Sequence, residues 1–273
     1  LDDAATDWRA TLNDHLRSDL AEGPRAGFLA AEAFDEHEAL VGYAQASPGN
    51  HGFVVDAIVA PDGDDTRLRL LSAVIAALPA DAAITWWTHE GDDAARSAAQ
   101  LGLGPGRALL QMRRPLPPEV STDVPVRPFV VGADEAAWLE VNNAAFAWHG
   151  EQGGWDLPTL QQRERAPWFR PDGFLLHERD GRLAAFCWTK LHPPAVEGDA
   201  VVGEIYVIAV HPDFHGRGLG KALTVAGLAW LHTAGATAGM LYVDADNSSA
   251  VALYRALGFQ ITNTDQAYIR PTA

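Results

Sequence analysis

Apolar and polar positions along the chain divide it into short segments of strand or helix length. Trp8, Leu12, Leu16 and Leu20 recur near a period of four and predict a helix over residues 3–22, ended by Gly23-Pro24. GFLAAEAF and ALVGYAQAS are short apolar runs parted by Asp35-Glu36-His37-Glu38, the pattern of a hairpin. FVVDAIVAP reads as a strand, TRLRLLSAVIAAL as a helix, and ITWWTHE as a strand. DDAARSAAQLGL reads as a helix capped by Gly102, and ALLQMRRPL as a strand closing the first half.

The Pro-rich, polar stretch PLPPEVSTDVP, Pro115 to Pro125, has the composition of a linker. Beyond it the order repeats. DEAAWLEVNNAAFAW is a predicted helix, HGEQGGWDLPTL a polar loop, and a short helix is expected near Gln161 to Ala166. GFLLHERDGRLAAFCWTKLHP is a hairpin turned on Asp180-Gly181. EIYVIAVHP, KALTVAGLAWLHTAG, GMLYVDAD, NSSAVALYRALGF and QAYIR complete the second round.

The repetition holds letter by letter. THEGDDAARSAAQLGL aligns with DADNSSAVALYRALGF, so that Leu101-Gly102-Leu103 falls on Leu257-Gly258-Phe259. AIVAPD aligns with IAVHPD, placing Pro61 on Pro212. The chain therefore reads as two copies of one α/β domain, residues 1–116 and 126–273, joined by a linker at 117–125.

The second copy carries the more distinctive stretch, GEIYVIAVHPDFHGRGLGKAL, Gly203 to Leu223. A β-branched and aromatic run ends at His211-Pro212-Asp213, a loop with Gly218 and Gly220 follows, and an apolar helix runs from about Lys221 to His232. Strand, glycine loop and helix turn backbone N–H groups toward an anion, and a glycine lets a phosphate oxygen approach. The spacing is neither that of the P-loop nor that of the dinucleotide fingerprint, and a tight turn binding nothing is the alternative. Carried past Pro61 without gaps, the first copy reads GDDTRLRL against FHGRGLGK. Arg67 and Arg69 then stand for Gly218 and Gly220, and Asp64-Asp65 adds negative charge. Ala98 takes the place of Tyr254. The first copy is expected to be catalytically silent.

With 273 residues, 48% apolar and 21% charged, the chain can bury two cores. Its formal net charge of −16 argues against a nucleic-acid partner and suits a cationic substrate such as an amine, although solubility alone would also explain it. No apolar run reaches membrane-spanning length, which leads to an expectation of cytoplasmic location without a membrane partner. The single cysteine, Cys187, lies in the apolar run AAFCWTK and reads as inert. The histidines show no metal-ligand spacing, and no metal is expected.

Several positions are candidates for chemistry. In DADNSSAVALYRALGF, Asn247 or Ser248 caps a helix whose core face is Ala250, Leu253 and Leu257. Tyr254 stands two turns beyond Asn247 on one face, as a general acid or as an ordinary half-buried aromatic. Glu204 is read on one strand face with Tyr206, Ile208 and Val210, as a proton acceptor or as a strand-end surface carboxylate. Backbone N–H groups of Ile208 and Val210 could polarise a carbonyl. Trp148, Trp155 and Trp168 could wall a sugar or fill a core.

Strand-V-x-P-x-x-x-G-R-G-x-G-K-x-L resembles the pyrophosphate-binding segment of the GCN5-related N-acetyltransferases (GNAT), and D-N-x-x-A-x-x-L-Y-x-x-x-G-F resembles their tyrosine-bearing helix. HGEQGGWDLPTL, FCWTKLHP, GEIYVIAVHPDFHGRGLGKALT and LYVDADNSSAVALYRALGF, with QMRRPLPP before the linker, resemble the mycothiol synthase family of tandem acetyltransferases. The resemblance implies two tandem GNAT domains, each a mixed, mostly antiparallel sheet flanked by helices. It implies that acetyl-CoA acetylates the cysteine amine of cysteinyl-glucosaminyl-inositol, with Glu204 as base, Tyr254 as acid and no metal. Acetyl-CoA would lie against Ile208, Ala209 and Val210, then His215, Gly216, Arg217, Gly218, Leu219, Gly220 and Lys221, and against Asn247 and Ala250. The substrate would meet Asp14, Glu151, Lys190, Glu204 and Tyr242. The missing glycines of the first coenzyme loop depart from the family pattern. A monomer acting on a small-molecule amine is expected. A tandem acetyltransferase for a protein N-terminus or an aminoglycoside, or a non-catalytic acyl-CoA sensor, are the alternatives.

Overall fold

A computed structural model describes residues 27–49, 52–60, 63–89, 91–147, 152–192 and 200–271. The helix expected over residues 3–22 lies outside them. The chain forms two compact units, Leu1–Ala108 with Thr264–Ala273, and Leu109–Asn263.

In the first unit β1 (Leu29–Phe34) and β2 (Leu40–Gly49) form the expected hairpin. Its turn is fixed by Asp35, whose Oδ1 accepts the N–H groups of His37 and Ala39, each at 2.8 Å. β3 (Gly52–Val59) pairs antiparallel with β2 and parallel with β4 (Ile84–His89). Helix α1 (Asp64–Ala76) and helix α2 (Asp92–Gln100) complete the layer. Val55, Leu71, Val74, Ile84, Trp86 and Ala98 are among the buried residues of its core.

Strand β5 (Gly104–Pro115) follows, then β6 (Arg127–Pro128), α3 (Glu135–Ala145) and α4 (Leu157–Glu164). Helix α4 starts inside the segment read as a polar loop. Asp156 accepts the Thr159 N–H at 2.9 Å, and Pro158 suits a first turn. β7 (Phe174–Arg179) and β8 (Arg182–His192) turn on Asp180 and Gly181, whose φ values of 55° and 75° are those of the expected two-residue hairpin. Then come β9 (Val202–Val210), α5 (Leu219–Thr233), β10 (Ala238–Asp244), α6 (Ser248–Ala256) and β11 (Gln260–Arg270).

The two terminal strands part from the sequence reading. ALLQMRRPL does not close the first unit: residues 109–115 pair antiparallel with β10. QAYIR lies in β11 instead, where residues 265–270 pair antiparallel with β4. The sheet of the second unit therefore runs β5-β10-β9-β8-β7-β6. One face packs on α5 and α6 through Met112, Cys187, Ile205, Leu223, Leu228, Leu231 and Leu241. The other packs on α3 and α4 through Trp138, Leu160, Phe174, Phe186, Trp188 and Val207. Gly227 brings α5 hard onto β8, since a Cβ there would lie 2.5 Å from Cys187 Sγ.

Candidate active site

A single extra residue on β9 shapes the site. Trp188 faces Val207 and Thr189 faces Ile205, which leaves Tyr206 without an opposite residue on β8. This is a β-bulge, and it shifts the facing of the strand by one residue. Glu204 and Tyr206 point toward the α3/α4 side, while Ile205 before the bulge and Ile208 and Val210 after it pack on the α5/α6 core. The sequence expectation of one shared face for Glu204, Tyr206, Ile208 and Val210 is thus corrected.

Glu204 is no surface carboxylate. Its side chain is 9% exposed, and its Oε2 lies 2.7 Å from Nε2 of His192. Lys190 faces it directly across β8 and β9 and is also buried. The Lys190 ammonium sits 4.8 Å from the ring centre of Trp168 and 5.6 Å from that of Tyr206, so two π-faces support the buried cation. Met240 faces Glu204 from β10, and Tyr242, two residues on, shares that face. Tyr242 is 40% exposed, and its hydroxyl accepts from Gln111 Nε2 at 2.8 Å. Lys190, Glu204 and Tyr242 are therefore brought to one face of one sheet.

Trp168 belongs to an aromatic cluster with Trp188 and Tyr206, and Trp155 packs on Trp138. Both fill the α3/α4 core. Asp14, Glu151 and Trp148 lie outside the described residues.

Beyond Glu204, β9 and β10 part. Their parallel pairing covers Val202–Ala238, Gly203–Gly239 and Glu204–Met240, whereas β9 continues beside β8 to Val210. The His211 N–H donates to Ala184 O across β8 at 2.9 Å. Backbone groups alternate along a strand, so Ile208 and Val210 direct theirs to the opposite edge, toward the opening. On that edge Nε2 of His215 lies 2.9 Å from Val210 O. Ala209 is buried in the α3/α4 core.

The loop after β9 ends in a helix start with free amides. Gly216 and Gly218 have φ of 73° and 76°, where glycine is favoured for its lack of Cβ. Gly218 is the N-cap of α5 and supplies no side-chain cap, and the first amide to bond back is that of Ala222, to Gly218 O at 3.1 Å. The amides of Leu219, Gly220 and Lys221 precede it in the first turn. A Cβ on Gly220 would meet nothing closer than Leu253 Cδ2 at 3.9 Å, so packing does not require a glycine there. Leu219 is buried in the core, and Lys221 is exposed. Arg217 lies over the Phe214 ring at 5.3 Å, with Nη2 donating to Asp213 O at 3.4 Å.

Helix α6 packs into the same core as α5. Asn247 is its N-cap, with Oδ1 accepting the Ala250 N–H at 3.1 Å and the Ser249 hydroxyl at 3.0 Å. Its buried residues are Val251 and Tyr254, whereas Ala250 and Leu253 are only half-buried, which rotates the expected core face. Burial, and secondarily the neighbouring Cys187, push the Tyr254 phenol above its ordinary value of 10. The fully buried Cys187 thiol is likewise pushed up by burial, which keeps it protonated and inert.

The first unit repeats the frame without the groups. Helices α2 and α6 end alike: Gly102 and Gly258 have φ of 72° and 83°, and the Leu103 and Phe259 amides donate to Ala98 O and Tyr254 O at 2.9 and 3.0 Å. Ala98 thus replaces the phenol. Phe53 faces Ile84 where Glu204 faces Met240 in the aligned sequence. The strand–helix connection is also half as long, residues 60–63 against 211–218. The ungapped reading of Arg67 and Arg69 as replaced glycines is corrected by this: both lie inside α1.

His192 went unassigned in the sequence, although it stands two residues after Lys190 in a strand and so on the same face. Among the described residues no cluster of three His, Cys, Asp or Glu is arranged for a metal, and no helix is long and apolar enough to cross a membrane.

The fold recurs in solved structures. A GCN5-related N-acetyltransferase from Sphaerobacter thermophilus matches with a TM-score of 0.68 at 21% identity, covering 93% of this chain and 84% of that one. A tandem GNAT protein from the clavulanic acid biosynthesis pathway matches with a TM-score of 0.65 at 14% identity, covering 95% and 87%. The profile of the acetyltransferase (GNAT) family matches residues 140–259. The fold is that of the tandem GNAT acetyltransferases. Proteins described as mycothiol acetyltransferase are 39% identical in Acidimicrobium ferrooxidans, over 96% of this chain and 88% of that protein, and 44% identical in Streptomyces avermitilis, over 98% and 88%. The chain belongs to the mycothiol acetyltransferase family and is an acetyltransferase.

Proposed function

We propose that the chain transfers the acetyl group of acetyl-CoA to the cysteine amine of cysteinyl-glucosaminyl-inositol, giving mycothiol. The observation that carries this reading is the buried Glu204 at the point where β9 and β10 part, on the strand whose far end leads into the uncapped α5 N-terminus. The coenzyme fits here. Amides of the first turn of α5, with Lys221 beside them, would hold the diphosphate. Gly220 leaves the space that such an approach needs. Ile208 and Val210 N–H groups would meet the thioester carbonyl, with His215, Gly216, Arg217, Asn247 and Ala250 around the ligand.

The residues then divide the proton work. Glu204 accepts a proton from the amine as the C–N bond forms, and Tyr254 gives its proton to the departing sulfur as the C–S bond breaks. Glu204 and Tyr254 lie on opposite faces of the sheet, and in this reading the amine and the thioester would meet at the parted strands. Burial supports the acid role, because a phenol held above its ordinary value is protonated throughout the neutral range. Lys190, Tyr242 and Glu204 would hold hydroxyls and the amine of the substrate. The first unit, lacking carboxylate, phenol and long loop, is proposed as a silent support.

The chain is proposed to act as a cytoplasmic monomer on small molecules. A net charge of −16 supports the absence of nucleic acid among its partners. The test is CoA release measured across cysteinyl-glucosaminyl-inositol, peptides with free N-termini, and aminoglycosides. Turnover is expected with the first. Turnover with peptides alone, or coenzyme binding without turnover, would overturn the reading.

A further inference from the structure

We propose that His192 is the proton exit of this site, a positioning residue that acts through Glu204. The inference rests on the reading of Glu204 as the proton acceptor. An alkylammonium and a thioester give an amide, a thiol and one free proton, so each turnover must deliver a proton to solvent. Glu204 receives that proton in a buried place, with its side chain only 9% exposed. With so little of the carboxyl open to water, a hydrogen-bonded neighbour offers that proton its direct route out.

Among the described residues, one such neighbour stands beside Glu204. Among the described residues its carboxylate has His192 as its hydrogen-bond partner, Nε2 to Oε2 at 2.7 Å, and the His192 side chain is 33% exposed. Lys190, opposite on β8, is an ammonium that can accept no proton, and it lies over the rings of Trp168 and Tyr206. From β10 the facing residue is Met240, which carries no titratable group, and Tyr242 stands one step further along that strand. Arg113 of β5 faces Met240 and is permanently charged. Imidazole has two nitrogens. It can accept from Glu204 on Nε2 and release from Nδ1 to solvent, and proton exchange with water then restores the starting tautomer before the next turnover. The one-residue bulge at Tyr206 lies immediately beyond the register in which Lys190 and His192 flank Glu204.

The experiment compares His192→Asn and His192→Gln with the parent enzyme and with Glu204→Gln, by steady-state kinetics at pH 6 to 9 with and without added imidazole. Both His192 variants should lose about tenfold or more in kcat with KM for acetyl-CoA unchanged, and show a larger solvent isotope effect. Added imidazole should restore most of the loss. His192→Gln keeps a side chain able to hydrogen-bond the carboxylate. A Gln variant with parent kcat, or a loss in both variants that imidazole does not relieve, would overturn the proposal while Glu204→Gln stays inactive. If Glu204→Gln itself turned over normally, the reading of the base would fail first, and this inference with it.

Discussion

Ala98 and Tyr254 hold the same place in the two copies, each giving its carbonyl to the amide that closes its helix past a left-handed glycine. The backbone is kept and the phenol is not, which separates what the fold needs from what the chemistry needs. Tyr254→Phe should therefore leave the melting temperature near the parent value. It should lower kcat by about 10²-fold with KM for acetyl-CoA preserved. Because burial holds the phenol above its ordinary value, the ratio of parent to variant kcat should stay flat from pH 6 to 9. A ratio that changed across this range would contradict the assignment.

Glu204→Gln keeps the size of the side chain and a contact to His192 while removing the basic oxygen. The loss expected in kcat is about 10²- to 10³-fold, with coenzyme affinity little changed. Calorimetric titration with acetyl-CoA separates the two effects, and a parallel loss of binding would point to a structural role instead.

Gly218 and Gly220 predict opposite outcomes for the same substitution. Gly218 has a φ of 76°, so Gly218→Ala should cost roughly 1 kcal/mol of stability. Gly220 lies in the first turn of α5 with open space around it, so Gly220→Ala should be neutral or stabilising by about 0.5–1 kcal/mol. Its methyl would nevertheless stand over the amides proposed to meet the diphosphate. A rise of tenfold or more in KM for acetyl-CoA without loss of stability is expected, and an unchanged KM would remove Gly220 from the site.

Asp56 on β3 titrates with the fold of the first unit. Burial pushes its carboxyl up to about 7, against smaller opposing effects of the Ala57 N–H and Arg67. A carboxyl raised in the folded state contributes stability that is whole below about pH 4 and lost as pH rises toward 7. Hydrogen exchange at the β2–β3 amides should therefore quicken between pH 5 and 7.5 beyond its intrinsic dependence. Asp56→Asn should flatten that excess, and an unchanged excess would exclude Asp56 as its source.

Turn and cap chemistry was plainly written in the chain. Asp180-Gly181 gave the hairpin, and Gly102 and Gly258 gave the helix ends, because only a few residues tolerate those backbone angles. The strand, glycine loop and capped helix around Glu204 and Tyr254 were legible as elements, while the roles proposed for these residues rested on the family resemblance. The bulge at Tyr206 was not, since one inserted residue leaves an apolar strand apolar and only its pairing partner reveals the slip. His192 stayed silent for the same reason, because its meaning depends on the neighbour across the ladder. The partners of β5 and β11 were equally hidden: an antiparallel strand of either half offers a similar pattern to β4 and to β10.

That last arrangement governs how the gene can be cut. A piece starting at residue 124 keeps every group named in catalysis yet loses Met112, which is fully buried against α5 and α6, and Arg114, which caps Leu257 O at the end of the tyrosine helix. Loss of such a core side chain alone costs about 2–5 kcal/mol. The bared flank of β10 would also invite association. Such a piece should be recovered clumped or unfolded, and one beginning near residue 104 should stay dispersed. Each half depends in this way on a ribbon encoded on the other's side of the chain, so a simple deletion of either should fail.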